Sequence, residues 1–427
     1  MAPQITLIKK TKPTSVMSKR IFLDSAGALC SDGTECLMVE GTATRVTAET
    51  AAQLAHIVAG CGSNEAIALG SLDNKLPDSV GVTVRGRLHE QSGAITRSRE
   101  YIDYRAGIPA WVLIDYDTKG MPEHISARIE QEGGMLSALQ RVAPGLAKAS
   151  RVSRASTTAG LLRSDTGASV RGSEGRHEYV LIQDGGDAAR FLNDLHDRCW
   201  FHGLGWHLIG GAGQLLERSL VDRMVGYGER LCFEGAPVVE PPLMQDPKGR
   251  VPAAFEGEAI DSTLIASPLN EYERHLVDEA KSTSAKELSE QAAEVRKQHN
   301  RRLAEAVSER FGTPIATAQR LVEARHRGVL FPNIELDFDH LGMVAVSEIL
   351  RDPNHFVGET LADPLEGPAY GRGKAKVLRA EDGGLLIHSF AHGRGLYLLR
   401  HDCDRQSQRS TKFPRRPLSI APWKYSR

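Results

Sequence analysis

Short apolar runs alternate with one helical stretch along the first hundred residues. Ile21–Leu23, Glu35–Val39, Ala66–Leu69 and Val80–Val84 read as strands, and Ala48–Cys61, whose apolar positions recur at helical spacing, reads as a helix. Ala110–Tyr116 is nearly continuous in apolar character, the pattern of a strand buried on both faces, and the Asp-Thr-Lys-Gly that closes it is turn chemistry. A second module follows. It has a strand at Glu178–Ile182, a turn at Gln183–Gly186, a helix that Asp187 can cap with Phe191, Leu192, Leu195 and Cys199 on one face, and a strand at Trp206–Ile209. Gly210, Gly211 and Gly213 then break the chain before Leu215–Val225, and prolines at 237, 241, 242, 247 and 252 mark a loop or module edge. From about 269 to 328 the pattern is helical, a long helix and a shorter one with Gly312-Thr313-Pro314 between them. Val329 to Leu399 reads as a small α/β unit. Its strands are expected at Leu336–Phe338, Ala375–Leu378, Leu385–His388 and Tyr397–Leu399, with a helix over Val346–Leu350.

The expected class is therefore α/β in the broad sense that includes α+β. The expected division is a unit over 1–265 (1–100, then 101–265), a helical connector over 266–328, a small α/β domain over 329–400 and a basic tail over 401–427. The chain has 427 residues, of which 41% are hydrophobic and 25% charged, enough for two or three packed units and unlike a disordered chain. No run of eighteen apolar residues occurs, and lysines at 9, 10, 12 and 19 lack the apolar core of a signal peptide, which predicts a cytoplasmic protein with no membrane partner. Six cysteines at 30, 36, 61, 199, 232 and 403 form no CxxC pair, so neither a disulfide framework nor a zinc ribbon is indicated.

Charge changes the picture through its distribution. The net charge of −1 excludes a simple polycation, yet residues 141–176 hold seven basic side chains against Asp165 and Glu174, and residues 405–427 hold seven against none. Clustered Lys and Arg gain free energy by releasing counterions from a nucleic acid backbone, although a solvated loop and a frayed tail read the same way.

The sharpest chemical signal is Trp111-Val-Leu-Ile-Asp115-Tyr-Asp117. Residues two apart on a strand point to one side, about 7 Å apart, so Asp115 and Asp117 can aim both carboxylates at one point. Such a pair suits two divalent ions about 3.5–4 Å apart, which stabilise the attacking and leaving oxygens of a phosphoryl transfer; an Asp-x-Asp strand end is also an ordinary turn opening. Asp222, flanked by Leu220 and Val221, needs a metal, a helix cap, or Arg218 or Arg223 as partner. His177 opens a strand after the glycine-rich Arg171-Gly-Ser-Glu-Gly-Arg-His177, a position suited to gripping a triphosphate and equally open to an ordinary histidine.

That order, Asp-x-Asp, then a loop with His opening a strand, then an apolar-flanked Asp, resembles the archaeo-eukaryotic primase superfamily, which includes primase-polymerases of plasmids, phages and integrated elements. The context carries the likeness further. Ser156-Thr-Thr-Ala-Gly160, Gly172-Ser-Glu-Gly-Arg-His177, Gly210-Gly-Ala-Gly-Gln214-Leu-Leu-Glu-Arg218-Ser-Leu-Val-Asp222 and Glu229-Arg-Leu-Cys-Phe-Glu-Gly235 look like the run in bacterial mobile-element primases. The likeness covers residues 100 to 265, continues loosely to Gly328, and returns at Leu361-Ala-Asp-Pro-Leu-Glu-Gly367 and Ser389-Phe-Ala-His-Gly393.

The resemblance implies an RRM-like module and template-directed nucleotidyl transfer on single-stranded DNA. Asp115, Asp117 and Asp222 would hold Mg²⁺ or Mn²⁺, while His177, with Arg176 or Arg218, grips the nucleoside triphosphate. Position 175 is Gly rather than the motif's Ser, which leaves Ser173 as the serine offered to the phosphate pocket. Gly371-Arg-Gly-Lys374 lacks the spacing and the Ser/Thr of a Walker loop, so a replicative helicase is expected on another chain. A two-metal nuclease and a non-catalytic DNA-binding adaptor that recruits a helicase through 329–400 are the alternative readings. Lys119 reads as a solvated turn lysine. His388, His392 and His401 with Cys403 match no zinc spacing, and Trp200, Phe201 and Trp206 read as core.

Overall fold

The computed structural model describes residues 2–12, 14–172, 175–380, 383–391 and 395–401. It is a mixed α and β structure, and no helix among the described residues is long and apolar enough to cross a membrane. Ala110–Tyr116 forms where its apolar run predicts. It is an outer strand of a sheet ordered Ala253–Phe255, Arg151–Ala155, Arg176–Ile182, Ala110–Tyr116. Trp111 and Leu113 face a core shared with Leu54 and Val58 of the helix Ala51–Gly60, while Val112 and Ile114 face Ile125, Leu139 and Leu195. Alternate residues of one strand thus serve two cores, which is why the run shows no polar alternation.

Chain order through this sheet is strand, helices Glu123–Gln131 and Met135–Val142, strand Arg151–Ala155, strand Arg176–Ile182, helix Ala188–Phe201. Next comes the hairpin Gly205–Ile209 with Leu215–Ser219, and beyond it the Asp222 N–H donates to the Asp115 carbonyl at 3.2 Å. That bond brings a fourth segment to the free edge of the first strand.

A five-stranded antiparallel sheet, ordered Leu231–Cys232, Glu65–Ala68, Gln4–Lys12, Glu40–Thr47, Ser79–Thr83, packs on the far side of Ala51–Gly60. Its central strand is Gln4–Lys12, whose lysines hide the alternation: Lys10 is buried and donates from Nζ to the carbonyls of Val16 and Glu35 at 2.6 and 2.7 Å. The expected strand at Glu35–Val39 is instead a 3-10 turn, Thr34–Cys36, and a loop, with the strand starting at Glu40. Asp187 does not cap its helix through its side chain, because Arg190 and Ser262 occupy the carboxylate.

The helical region is three helices, Glu271–Glu287, Ser289–Phe311 and Ile315–His326, because the chain turns at Leu288 where no glycine or proline announces it. Asn270 and Glu273 close a capping box on the first of them. Beyond them a seven-stranded sheet surrounds a core of Leu330, Phe338, Val346, Ile387 and Leu399.

Candidate active site

Antiparallel pairing sets Asp115 directly opposite His177. Side chains facing each other in this way have Cβ atoms about 4.5–5.5 Å apart, and here His177 Nε2 lies 3.6 Å from Asp115 Oδ1. The other ring nitrogen, Nδ1, is 2.5 Å from Glu234 Oε1. The imidazole therefore bridges two carboxylates. Burial pulls its pKa down, but the charge and hydrogen bond of Glu234 together with Asp115 outweigh burial and hold the pKa above its ordinary value. When the ring is protonated, Nδ1–H donates to Glu234 and Nε2–H faces the Asp115 carboxylate across the 3.6 Å contact.

Asp222 enters from far along the chain. Its Oδ1 accepts the Met224 N–H at 2.8 Å and so caps the 3-10 turn Arg223–Val225. Of the partners expected from sequence, the cap is formed, while Arg223 pairs with Glu217 at 3.3 Å. Asp117 stands exposed just past the strand, and its Oδ1 accepts the Lys119 N–H at 3.0 Å. Burial raises the Asp115 carboxyl above its usual range; His177 opposes the rise, and Asp222 and Asp117 add to it. Each of these two charges is therefore close enough to Asp115 to disfavour its ionised form. Oxygen donors of this kind suit a hard divalent cation. Among the described residues no three His, Cys, Asp or Glu side chains are arranged to hold a metal ion.

The substrate-binding candidates divide between two sides. Arg176 is exposed beside His177, its Nη1 donating to Ser153 Oγ at 2.9 Å. It lines a cavity of about 310 Å³ with Thr158, Gly160, Arg171 and Gly172. Gly172 has to be glycine, because a Cβ there would overlap the Thr158 carbonyl. Arg218 is half-buried on Leu215–Ser219, and its charge, like that of Asp222, acts on Tyr370. Ser173 lies outside the described residues, as do His392 and Cys403 of the discounted His/Cys group.

Sequence reasoning missed the anchor of the site. Glu234 is fully buried and holds His177, the Tyr179 hydroxyl (2.5 Å), Arg154 Nη1 (3.0 Å) and Arg250 Nη2 (3.6 Å). Arg154 belongs to the basic stretch expected to meet phosphates, yet it sits on a strand and points inward to Glu234 and the Val58 carbonyl. The available signal was an acid in an apolar run, Leu-Cys-Phe-Glu234, which demands a buried partner.

The cluster's contribution to stability depends on pH in both directions. Although burial pushes it up, Glu234 is held below its usual range by His177, Arg154 and Tyr179, so its contribution is present above the ordinary glutamate pKa of 4.5 and lost as pH falls through the folded value. His177 is raised, so its contribution is complete below 6.5 and lost as pH rises through the folded value. Urea midpoints measured across pH are expected to be highest between those limits, and His177→Gln should remove the alkaline fall. An unchanged alkaline limb in that variant would contradict the assignment.

No family model, no curated protein and no solved structure matches this chain.

Proposed function

We propose that this protein is a metal-dependent nucleotidyltransferase of the primase-polymerase kind, building on single-stranded DNA for a mobile element. One observation carries the reading. Asp115, His177 and Asp222, from distant parts of the chain, meet at one strand end, joined by the Asp115–His177 contact at 3.6 Å and the Asp222 N–H bond to the Asp115 carbonyl at 3.2 Å. The order second, third, first strand with a fourth segment on the first strand's edge also supports an RRM-like module within 101–265.

In this reading Asp115, Asp117 and Asp222 are the carboxylates that would hold Mg²⁺ or Mn²⁺. The chemistry such an ion would supply is a lowered pKa for the attacking 3′-hydroxyl and charge neutralisation at the leaving pyrophosphate. The chain's own part is position and charge. Arg176 lines the 310 Å³ cavity, which has room for the triphosphate, while His177, the next residue on the strand, turns to the other face of the sheet, where it meets Asp115 and Glu234. A replicative helicase would act from another chain.

The test is incorporation of labelled nucleotides on a single-stranded template, with and without primer, in Mg²⁺ or Mn²⁺. Product is expected from the wild type and none from Asp115→Ala/Asp117→Ala. If the wild type instead retains DNA in a salt-sensitive way and makes nothing, the protein is a DNA-binding adaptor. Cleavage of the template without any need for nucleoside triphosphates would make it a nuclease.

A further inference from the structure

The cavity beside Arg176 is walled by backbone that the fold pins in place. Gln245 Nε2 donates to the carbonyls of Thr157 and Ala159 at 2.9 and 2.8 Å, and the chain passes close to itself where a Cβ on Gly160 would stand 3.0 Å from the Gly249 Cα. These contacts fix the loop that carries Thr158 and Gly160 into the cavity wall. Arg176, by contrast, is an exposed arginine at the first position of its strand. A side chain of that kind samples many rotamers, and ordering it when a ligand arrives costs affinity.

A tether holds it. The register of Arg151–Ala155 against Arg176–Ile182 sets Ser153 directly opposite Glu178, and Arg176, two residues before Glu178, points to the same side. Arg176 Nη1 donates to Ser153 Oγ at 2.9 Å, and Ser153 Oγ donates to Glu178 Oε1 at 2.6 Å. Chemistry fixes the direction: a guanidinium can only donate, so the hydroxyl accepts from it and gives its own proton to the carboxylate. His177 and Arg154, which pair with each other across the same two strands, turn to the other face and meet Glu234 there.

Ser153 and Glu178 are 6% and 1% exposed. Glu178 Oε2 is buried and has no hydrogen-bond partner among the described residues. Burial raises the Glu178 carboxyl above its usual range, while the Ser153 hydrogen bond, Arg176 and Arg151 oppose the rise. A buried carboxylate with one oxygen unmet lowers stability, and Val180 and Ile182, which follow it on the same face, are what a strand packed under helices ordinarily carries. Its place is explained by what it does for the arginine. Backed by the carboxylate, the hydroxyl is a stronger acceptor and holds one end of the guanidinium, which leaves the other end for the cavity.

We propose that Ser153 and Glu178 are positioning residues that hold the Arg176 guanidinium at the cavity, ready for the phosphate end of the incoming nucleotide. The assignment rests on the nucleotidyltransferase reading for the identity of that ligand, a polyphosphate, and on the two hydrogen bonds for the rest.

The experiment uses the full chain and inorganic tripolyphosphate, with affinity measured by titration calorimetry. Ser153→Ala is expected to weaken binding about fivefold, the cost of ordering a released arginine, and Arg176→Ala at least about tenfold. In the double variant the two losses should not add, because Ser153 acts only through Arg176. Glu178→Met should lose as much as Ser153→Ala without a lower Tm, and Glu178→Gln, whose amide oxygen still accepts from the hydroxyl, should lose less. Arg163→Ala, whose guanidinium pairs with Asp165 at 2.6 Å, is the control. With nucleotide as the ligand, Ser153→Ala should raise KM and leave kcat as it is.

Unchanged affinity in Ser153→Ala would overturn the proposal, as would a wild type that does not bind tripolyphosphate. Losses that add in the double variant, with a lower Tm in Ser153→Ala and Glu178→Met alike, would reduce the pair to a packing role and also overturn it. Coupled losses in a protein that incorporates no nucleotide would sink the polymerase reading and leave the relay standing. Incorporation with an unmoved KM in Ser153→Ala would do the reverse.

Discussion

Asp115→Asn is expected to abolish nucleotide incorporation, by at least about 10³-fold in kcat/KM, while leaving the fold as stable as before or slightly more so. The two halves of this result have one cause. Burial, Asp222 and Asp117 all disfavour the ionised Asp115 carboxyl, while His177 and, to a smaller extent, Lys19 favour it. Removing the charge therefore relieves a cost in the folded protein, while it deletes the donor at the centre of the proposed metal site. A residue kept for stability would behave in the opposite way. A third readout follows from the 3.6 Å contact with His177: losing Asp115's charge removes one of the interactions that hold the imidazolium, so the His177 titration should move to lower pH. Urea denaturation, incorporation kinetics and the His177 ring signals by NMR check the three together. A large loss of stability in Asp115→Asn would refute this account of the carboxylate.

Glu234→Ala should instead cost stability heavily, about 3–5 kcal/mol, because it strips the partner from buried charges. Arg154 and Arg250 are 8% and 5% exposed; Arg154 hydrogen-bonds this carboxylate, Arg250 pairs with it at 3.6 Å, and Tyr179 and His177 lose their acceptor with them. Burial holds the Arg250 guanidinium down at about 10, which shows how strongly its surroundings disfavour an unpaired charge. Glu234→Gln keeps an acceptor of the same shape and should cost less, while still lowering the pKa of His177. Urea midpoints for the two variants check the order. Equal and small losses for both would mean that water or a rearranged arginine replaces the carboxylate, and that Glu234 does not anchor the site.

Local pattern made part of this molecule legible. Ala110–Tyr116 appears at the bounds its apolar run suggests, and the strands ending at Ile182, Ile209 and Leu399 fall within a residue or two of expectation; in Ala110–Tyr116 and Arg176–Ile182, burial on two faces leaves a continuous apolar signature. Gln4–Lys12 escaped because a lysine at position 10 looks solvated, and only the surrounding fold turns its Nζ onto two carbonyls. The break at Leu288 had no glycine or proline to announce it.

The site divides in the same way. Asp115, His177 and Asp222 were nominated by their local settings, a strand end, a strand mouth and an acid among apolar residues. The sequence alone therefore determined the mixed α and β class, the candidate carboxylates and the histidine, since each leaves a mark within a few residues of itself. Only tertiary structure decided that Glu234 orients His177, that Arg154 faces inward to Glu234, and that the Asp222 N–H reaches the Asp115 carbonyl. The reason is physical: a charge's role is set by what desolvates and pairs it, and in a folded chain those neighbours come from distant positions whose meeting no local pattern encodes.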